Sequence, residues 1–353
     1  MSTHPSFSIL VINPGSTSSK LALFENTTPI IENSITHPAN SGKADIWSEY
    51  TDRLSEIQTF LQEQNIKTPD AVVGRGGLLK PVKRGTYAVN QAMIQDARAN
   101  VQGEHVSNLG CVLARDMARS YDCPAFVVDP VSVDEFEPVS RLSGHPAFER
   151  KCLSHALNLR AAAFWAAEKV NKQIDGTRFV GLHLGGGISV ASLVGGRIID
   201  VNDASNSGPF SPQRSGSLPT QPLVRFCFTG EHDQASVLSM INGRGGVYAY
   251  LGTSDMKKVQ GQRHDPNVRL IWDAMIYQIA KETGAAAAAL KGDVDAVFLT
   301  GGLVHSKLFV SELCAYIKFI APVLTCPGEL EMQAMASGAL RVLLNKEPVK
   351  IYE

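Results

Sequence analysis

The chain has no CxxC pair, no long apolar run and no surplus of charge of either sign. Its six cysteines (Cys111, Cys123, Cys152, Cys227, Cys314 and Cys326) are scattered. That pattern fits reduced core residues of a cytoplasmic protein and excludes a disulfide framework. The sequon at Asn26 then carries no glycosylation meaning. The apolar stretch "FSILVI" near the N-terminus is too short for a signal-peptide core or a membrane span. A net charge of -1 offers no electrostatic footprint for nucleic acid or an anionic membrane, and neither partner is expected. GxxxxGK[ST] and GxGxxG are missing, which removes the common mononucleotide and dinucleotide loops. No HExxH or Cys/His cluster points to zinc, and no GxSxG to a hydrolase nucleophile.

What is present is an α/β chain. The 353 residues, 44% hydrophobic and 19% charged, predict two globular domains. Strands and helices alternate. "SILVIN" and "KLALFE" flank the loop "NPGSTSSK"; "DAVVGRGG" and "PAFVVDP" read as strands; and "SNLGCVLARDMARSY" has helical spacing with Ser107 as its cap. A long helix is read over "RKCLSHALNLRAAAFWAAEKV" from Arg150, and another after Asp265-Pro266. "DAVFLTGGLVHS" is a buried strand ending in two glycines, and "LEMQAMASGALRVLL" is the last helix.

Two stretches half a chain apart share one design. "ILVINPGSTSSKLALF" and "VGLHLGGGISVASLV" each run strand, polar end residue (Asn13, His183), glycine turn, hydroxyl residue, strand. Either each is a routine hairpin, or the two present backbone N–H groups and hydroxyls to a phosphate chain. "LTGGLVHS" is likewise either a strand-to-helix turn or a place where a flat ligand lies against backbone. Arg75 in "VVGRGG" and Arg214 in "GPFSPQRSGSLP" sit in Gly/Pro/Ser-rich loops, solvated or else forks for a carboxylate or phosphoryl group. His155 and His183 interrupt apolar segments, as satisfied core histidines or as site residues. Glu329 and Glu331 read as first-turn acids of the last helix, and Asp129 as a strand stop before Pro130.

Taken in this order, the motifs resemble the acetate/butyrate kinase family, within the superfamily of sugar kinases, actin and the 70-kDa chaperones. "VINPGSTSSK" is similar to the family's first phosphate motif, "HLGGGISV" to its second and "LTGGLVHS" to its adenosine motif. "GRGGLLKPV", "EHVSNLG", "FVVDPVSVDE", "SHALN" and "GPFSPQRSGSLP" resemble the butyrate branch. The acetate branch has asparagine where this chain has Gly186. The resemblance covers essentially the whole chain. It implies two actin-like, ribonuclease H-like domains with mixed sheets flanked by helices and a nucleotide cleft between them. The expected boundaries are 1–148, with a C-terminal helix 332–353 packing back, and 149–331.

The resemblance also implies reversible, in-line phosphoryl transfer between ATP and a short-chain carboxylic acid, with Mg²⁺, in a homodimer or higher homo-oligomer. Asn13, Ser16, Ser18 and Lys20 would hold phosphate or metal. Arg75 and Arg214 would clamp the acid and the transferring group. Asp129 would orient the metal environment, and His155 and His183 would bond phosphoryl oxygens. Gly185, Gly186 and Gly187 would line the second phosphate motif, and Gly301 and Gly302 would lie under adenosine. The metal-associated glutamate falls at the start of the last helix, at Glu329 by preference, with Glu331 as the alternative. Ser207 and Gln213 stand where the butyrate branch carries acids. Butyrate is the acid expected; acetate, propionate and isobutyrate are alternatives on the same fold. A non-enzymatic nucleotide switch and a carbohydrate kinase are the readings from other classes.

Overall fold

A computed structural model describes residues 5–15, 18–37, 45–64, 66 and 68–353. The chain divides into two units, Met1–Asp134 with Leu330–Glu353, and Glu135–Glu329. The first holds a seven-stranded sheet whose strands are β1 (Ser8–Pro14), β2 (Ser18–Glu25), β3 (Thr28–Thr36), β4 (Ala71–Arg75), β5 (Thr86–Ala88), β6 (Ala125–Val128) and, near the C-terminus, β12 (Lys350–Ile351). The second holds five: β7 (Arg178–Leu184), β8 (Ile188–Val194), β9 (Arg197–Val201), β10 (Ala296–Gly301) and β11 (Val323–Pro327).

The echo seen in the sequence is an echo in topology. The first sheet contains the order β3-β2-β1-β4-β6, and the second is β9-β8-β7-β10-β11. In both, the opening three strands form an antiparallel meander, and the next two run parallel to the first. Even an irregularity repeats: register shifts between Leu23 and Phe24 in one sheet and between Ser192 and Leu193 in the other. β1 and β7 are apolar and buried nearly throughout, as strands with both faces covered must be. Leu10, Ile12, Val72, Leu109 and Leu113 centre the first core, and Val180, Leu182, Trp272, Ile276 and Leu299 the second.

Close backbone contact positions β4. A Cβ on Gly74 would lie 2.0 Å from the Gly110 carbonyl oxygen, in the helix Asn108–Tyr121; one on Gly110 would lie 2.2 Å from the Arg75 oxygen. Neither neighbour is a side-chain tip that can swing away. Gly74→Ala is therefore expected to cost about 3 kcal/mol as the helix is forced off the strand. Urea unfolding with an unchanged m-value checks this.

Several boundaries differ from the sequence reading. Residues 135–148 go with the second unit, because the Glu137 N–H donates to the Ile199 oxygen at 3.2 Å and Arg150 reaches Asp200 at 2.8 Å. The return to the first unit begins at Leu330. The helix read from Arg150 starts only at Ala156, so His155 precedes it rather than riding on it. All six cysteines are free; Cys227 is exposed, against the expectation of core positions throughout. Among the described residues, no helix is long and apolar enough to cross a membrane.

Candidate active site

The first unit gathers its polar residues at the carboxyl ends of three neighbouring parallel strands. Ile12 pairs with Gly74 and Arg75 with Val128, so Asn13, Arg75 and Asp129 stand side by side at the ends of β1, β4 and β6. That edge is where open α/β sheets place ligands. Glu331, first residue of the helix Glu331–Leu343, joins them. Asn13 Nδ2 donates to Glu331 Oε2 at 3.0 Å, and Arg75 Nη1 forms an ion pair with the same oxygen. Arg75 Nε is buried with no hydrogen-bond partner among the described residues, a donor suited to an incoming anion.

Asp129 is held in the left-handed region at φ 39°. Its Oδ1 accepts the Gly85 N–H at 2.7 Å, and its own N–H donates to the Gly85 oxygen at 3.1 Å. Such a conformation costs about 1–3 kcal/mol and persists where its surroundings enforce it. Ser18 begins β2 half-buried, with its carbonyl accepting the Gly15 N–H at 2.7 Å. Lys20 is exposed and pairs in register with Asn13. Ser16 lies outside the described residues. Of the two candidate acids, Glu331 is buried in the cluster, whereas Glu329 is exposed and belongs to the second unit.

The second unit repeats the plan. His183 lies near the carboxyl end of β7, and its ring stacks on that of His155, with centroids 3.8 Å apart and planes at 11°. His155 Nδ1 meets Ser189 Oγ at 2.9 Å, on the neighbouring β8. His183 Nδ1 lies 2.8 Å from the amide nitrogen of Asn158. The turn Gly185–Gly187 follows, closed by the Gly185 N–H donating to the Gly187 oxygen at 3.2 Å. Ser211 ties this turn to the Arg214 loop: its hydroxyl donates to the Gly186 oxygen at 2.6 Å and accepts the Arg214 N–H at 3.1 Å. The Arg214 guanidinium lies across Gly187, where a Cβ would come within 2.7 Å of Nη1. Burial pushes the Arg214 pKa down and nearby Asp203 pushes it back up; an arginine so placed stays charged.

Gly301 ends β10 at φ 99° and exchanges backbone hydrogen bonds with Gly328 at 2.8 and 3.1 Å. A Cβ there would sit 2.4 Å from the Leu184 oxygen, so only glycine fits. Gly302 is exposed and opens the short turn Gly302–His305. Sequence reasoning passed over Asn158, Thr300, Asp203 and Ser211. The first two were signalled by a polar residue three positions after His155 and by the one hydroxyl in an otherwise apolar strand.

Each unit thus offers an arginine and a set of directed donors at strand ends, chemistry suited to anionic oxygens. Among the described residues, no three of His, Cys, Asp and Glu gather as a metal cage. The first unit offers the Glu331 carboxylate beside the Asn13 amide, with the Asp129 carboxylate at the next strand end but one. This set fits Mg²⁺, which keeps waters and takes one or two carboxylates together with substrate phosphates. A separate cavity of about 590 Å³ lies in the second unit among Phe210, Leu223, Phe226, Val237, Ile241 and Ile271. No Arg, Lys or His lines it, so it does not suit phosphate.

A sequence profile of the Acetokinase family matches residues 154–322. The chain is 46% identical over 352 residues to the protein called "Probable butyrate kinase 2" from Caldanaerobacter subterraneus subsp. tengcongensis, covering 98% of this chain and 99% of that one. Among solved structures it is similar to Porphyromonas gingivalis acetate kinase, at 17% identity and TM-score 0.77, over 96% of this chain and 100% of that one. It is also similar to a propionate kinase from Francisella tularensis subsp. tularensis SCHU S4, at 15% identity and TM-score 0.77, over 94% and 98% of the two chains. The two structures speak to the fold alone.

Proposed function

The chain belongs to the acetokinase family, and we propose that it transfers the γ-phosphoryl group of ATP reversibly to the carboxylate of butyrate, giving butyryl phosphate and ADP. The match over nearly the full length of both chains to the "Probable butyrate kinase 2" of Caldanaerobacter carries the choice of acid. The inventory of side chains suits the chemistry. A carboxylate is ionised at neutral pH and needs no general base; what it needs is neutralisation as two anions meet in line. Arg75 and Arg214 supply fixed positive forks for the acid and the transferring group. His155, His183 and the amides of the Gly185–Gly187 turn donate to phosphoryl oxygens, and Gly301 and Gly302 make room for adenosine. Glu331, with the Asn13 amide oxygen, would hold Mg²⁺, which when bound offsets phosphate charge. Ser18 and Lys20 complete the first phosphate motif, and Asp129 orients the end of β6 beside Arg75. The homodimer and cytoplasmic setting expected of the family go with this reading, and sedimentation and cell fractionation read them out.

Trapping acyl phosphate as hydroxamate across C2 to C6 acids tests the proposal. We expect ATP- and Mg²⁺-dependent product with kcat/KM highest on butyrate. Neighbouring acids should fall off by about 10- to 200-fold, since one methylene in an apolar pocket is worth about 1–3 kcal/mol. A maximum on acetate would overturn the choice of acid. Phosphate transfer to sugars but to no carboxylate would overturn the reaction.

A further inference from the structure

Three buried side chains of the second unit hold a hydrogen-bond order that can be read proton by proton. The Thr300 hydroxyl donates to the Gly328 carbonyl at 2.9 Å. A hydroxyl has one hydrogen, so toward any other neighbour Thr300 Oγ1 can only accept. Its other neighbour is the Asn158 side chain at 3.2 Å, which must therefore present its NH₂ and not its oxygen. That same nitrogen stands 2.8 Å from His183 Nδ1. An amide nitrogen donates and does not accept, so Nδ1 is the acceptor and bears no proton in the neutral ring. The proton is on Nε2. Nε2 in turn faces the glycine turn, where a Cβ on Gly185 would come within 3.1 Å of it. Asn158 and Thr300 are fully buried and His183 nearly so, so water does not compete along the chain.

We infer that Asn158, oriented by Thr300 and the Gly328 carbonyl, is a positioning residue that fixes His183 as its Nε2–H tautomer, making it a hydrogen-bond donor to oxygens bound at the Gly185–Gly187 turn. The inference rests on the phosphoryl-transfer reading for the identity of those oxygens, and on nothing but geometry for the tautomer. It gives "SHALN" and "LTGG" a shared purpose. The asparagine of the first motif and the threonine of the second act on one histidine, and Thr300 adjoins Gly301, the residue read as lying under adenosine.

The test is ¹⁵N NMR of histidine-labelled, ligand-free protein, with the His183 signals assigned by their loss in His183→Gln. We expect a pyrrole-type Nε2 and a pyridine-type Nδ1. In Asn158→Asp the carboxylate accepts instead of donating and draws the proton to Nδ1, so the pattern should reverse. In that variant kcat should fall about 10²–10³-fold, the cost of one lost donor at a developing oxyanion, with KM for ATP within a few-fold. Thr300→Ser should keep the wild-type tautomer and rate; Thr300→Val, which frees the amide to rotate, should give a mixture of tautomers and an intermediate kcat. An Nδ1–H ring in the wild-type chain would overturn the inference without any variant, as would Asn158→Asp with an unchanged tautomer and wild-type kcat. Because the ring is read in ligand-free protein, failure to phosphorylate butyrate would sink the functional reading and leave the tautomer assignment standing.

Discussion

Arg214→Ala is expected to lower turnover of butyrate by about 10³-fold or more, the scale of an arginine that stabilises a transferring phosphoryl group, while ATP affinity stays within several-fold. The loop is built to fix the backbone from which this side chain projects. The Ser211 N–H donates to the Arg214 oxygen at 2.9 Å, the Ser215 N–H to the Ile241 oxygen at 2.9 Å, and the Gly243 and Gly245 N–H groups both to the Gln213 oxygen, at 2.9 and 3.2 Å. Truncation at Cβ leaves all of these bonds in place. Arg214→Lys should do little better, because a point charge on a flexible stem does not reproduce a planar fork.

Gly187→Ala offers an independent route to the same defect. The methyl would meet the guanidinium, with Nη1 at 2.7 Å, and the guanidinium is the far end of a flexible side chain and can yield. The variant should therefore melt near the wild-type temperature yet lose turnover, since the arginine is displaced and not the fold. Near-normal turnover in Arg214→Ala would remove the assigned role, and a stable, fully active Gly187→Ala would show that the guanidinium's resting place is immaterial. Steady-state hydroxamate assays with nucleotide binding by calorimetry separate these outcomes.

The duplicated topology was legible because both halves repeat a strand–glycine–strand pattern, and apolar strands buried on both faces leave little ambiguity. The far edge of the first sheet was not legible. β12 has only Lys350 and Ile351, too short for any periodicity; it pairs with Tyr87 and Ala88, and the next residue, Tyr352, is gripped at its hydroxyl by Asp96 at 2.8 Å and the Lys80 N–H at 2.9 Å. The helix start at Ala156 is not legible because Arg150, Lys151 and Leu153 before it are good helix formers; tertiary contacts of Arg150 with the Ser140 carbonyl and Asp200 take the chain elsewhere. The motifs gave Arg75, Arg214, His155 and His183 as candidates, but not what each touches. Glu329 and Glu331 are two residues apart, and the resemblance favours Glu329, whereas Glu331 is the one that joins the cluster. Gly328, at φ 87° and paired with Gly301, keeps Glu329 with the second unit, and the helix that then begins carries Glu331 to Asn13 and Arg75. Asn158 stands out in the sequence only as a polar residue after His155; its meaning lies in a hydrogen bond to a residue 142 positions away.

Glu331→Ala should damage both stability and catalysis, and the two losses can be separated. The carboxylate is buried against Arg75, whose side chain is only 12% exposed. Removing one partner of a buried ion pair leaves the other charge uncompensated and costs about 3–5 kcal/mol. Asn13 loses its acceptor in the same step. Denaturant unfolding should show that cost, while Glu329→Ala, at an exposed position, should stay within about 0.5 kcal/mol of wild type. A buried pair replaced by apolar residues of similar size is often neutral or stabilising, so the double variant Arg75→Met with Glu331→Leu should recover most of the stability. It should recover none of the activity, because the acid then meets no fork at β4 and Mg²⁺ loses the Glu331 carboxylate. If the double variant regained turnover along with stability, Arg75 and Glu331 would be a structural pair and the active site would lie elsewhere. If Glu331→Ala melted normally but Glu329→Ala did not, the burial assigned to these two acids would be reversed.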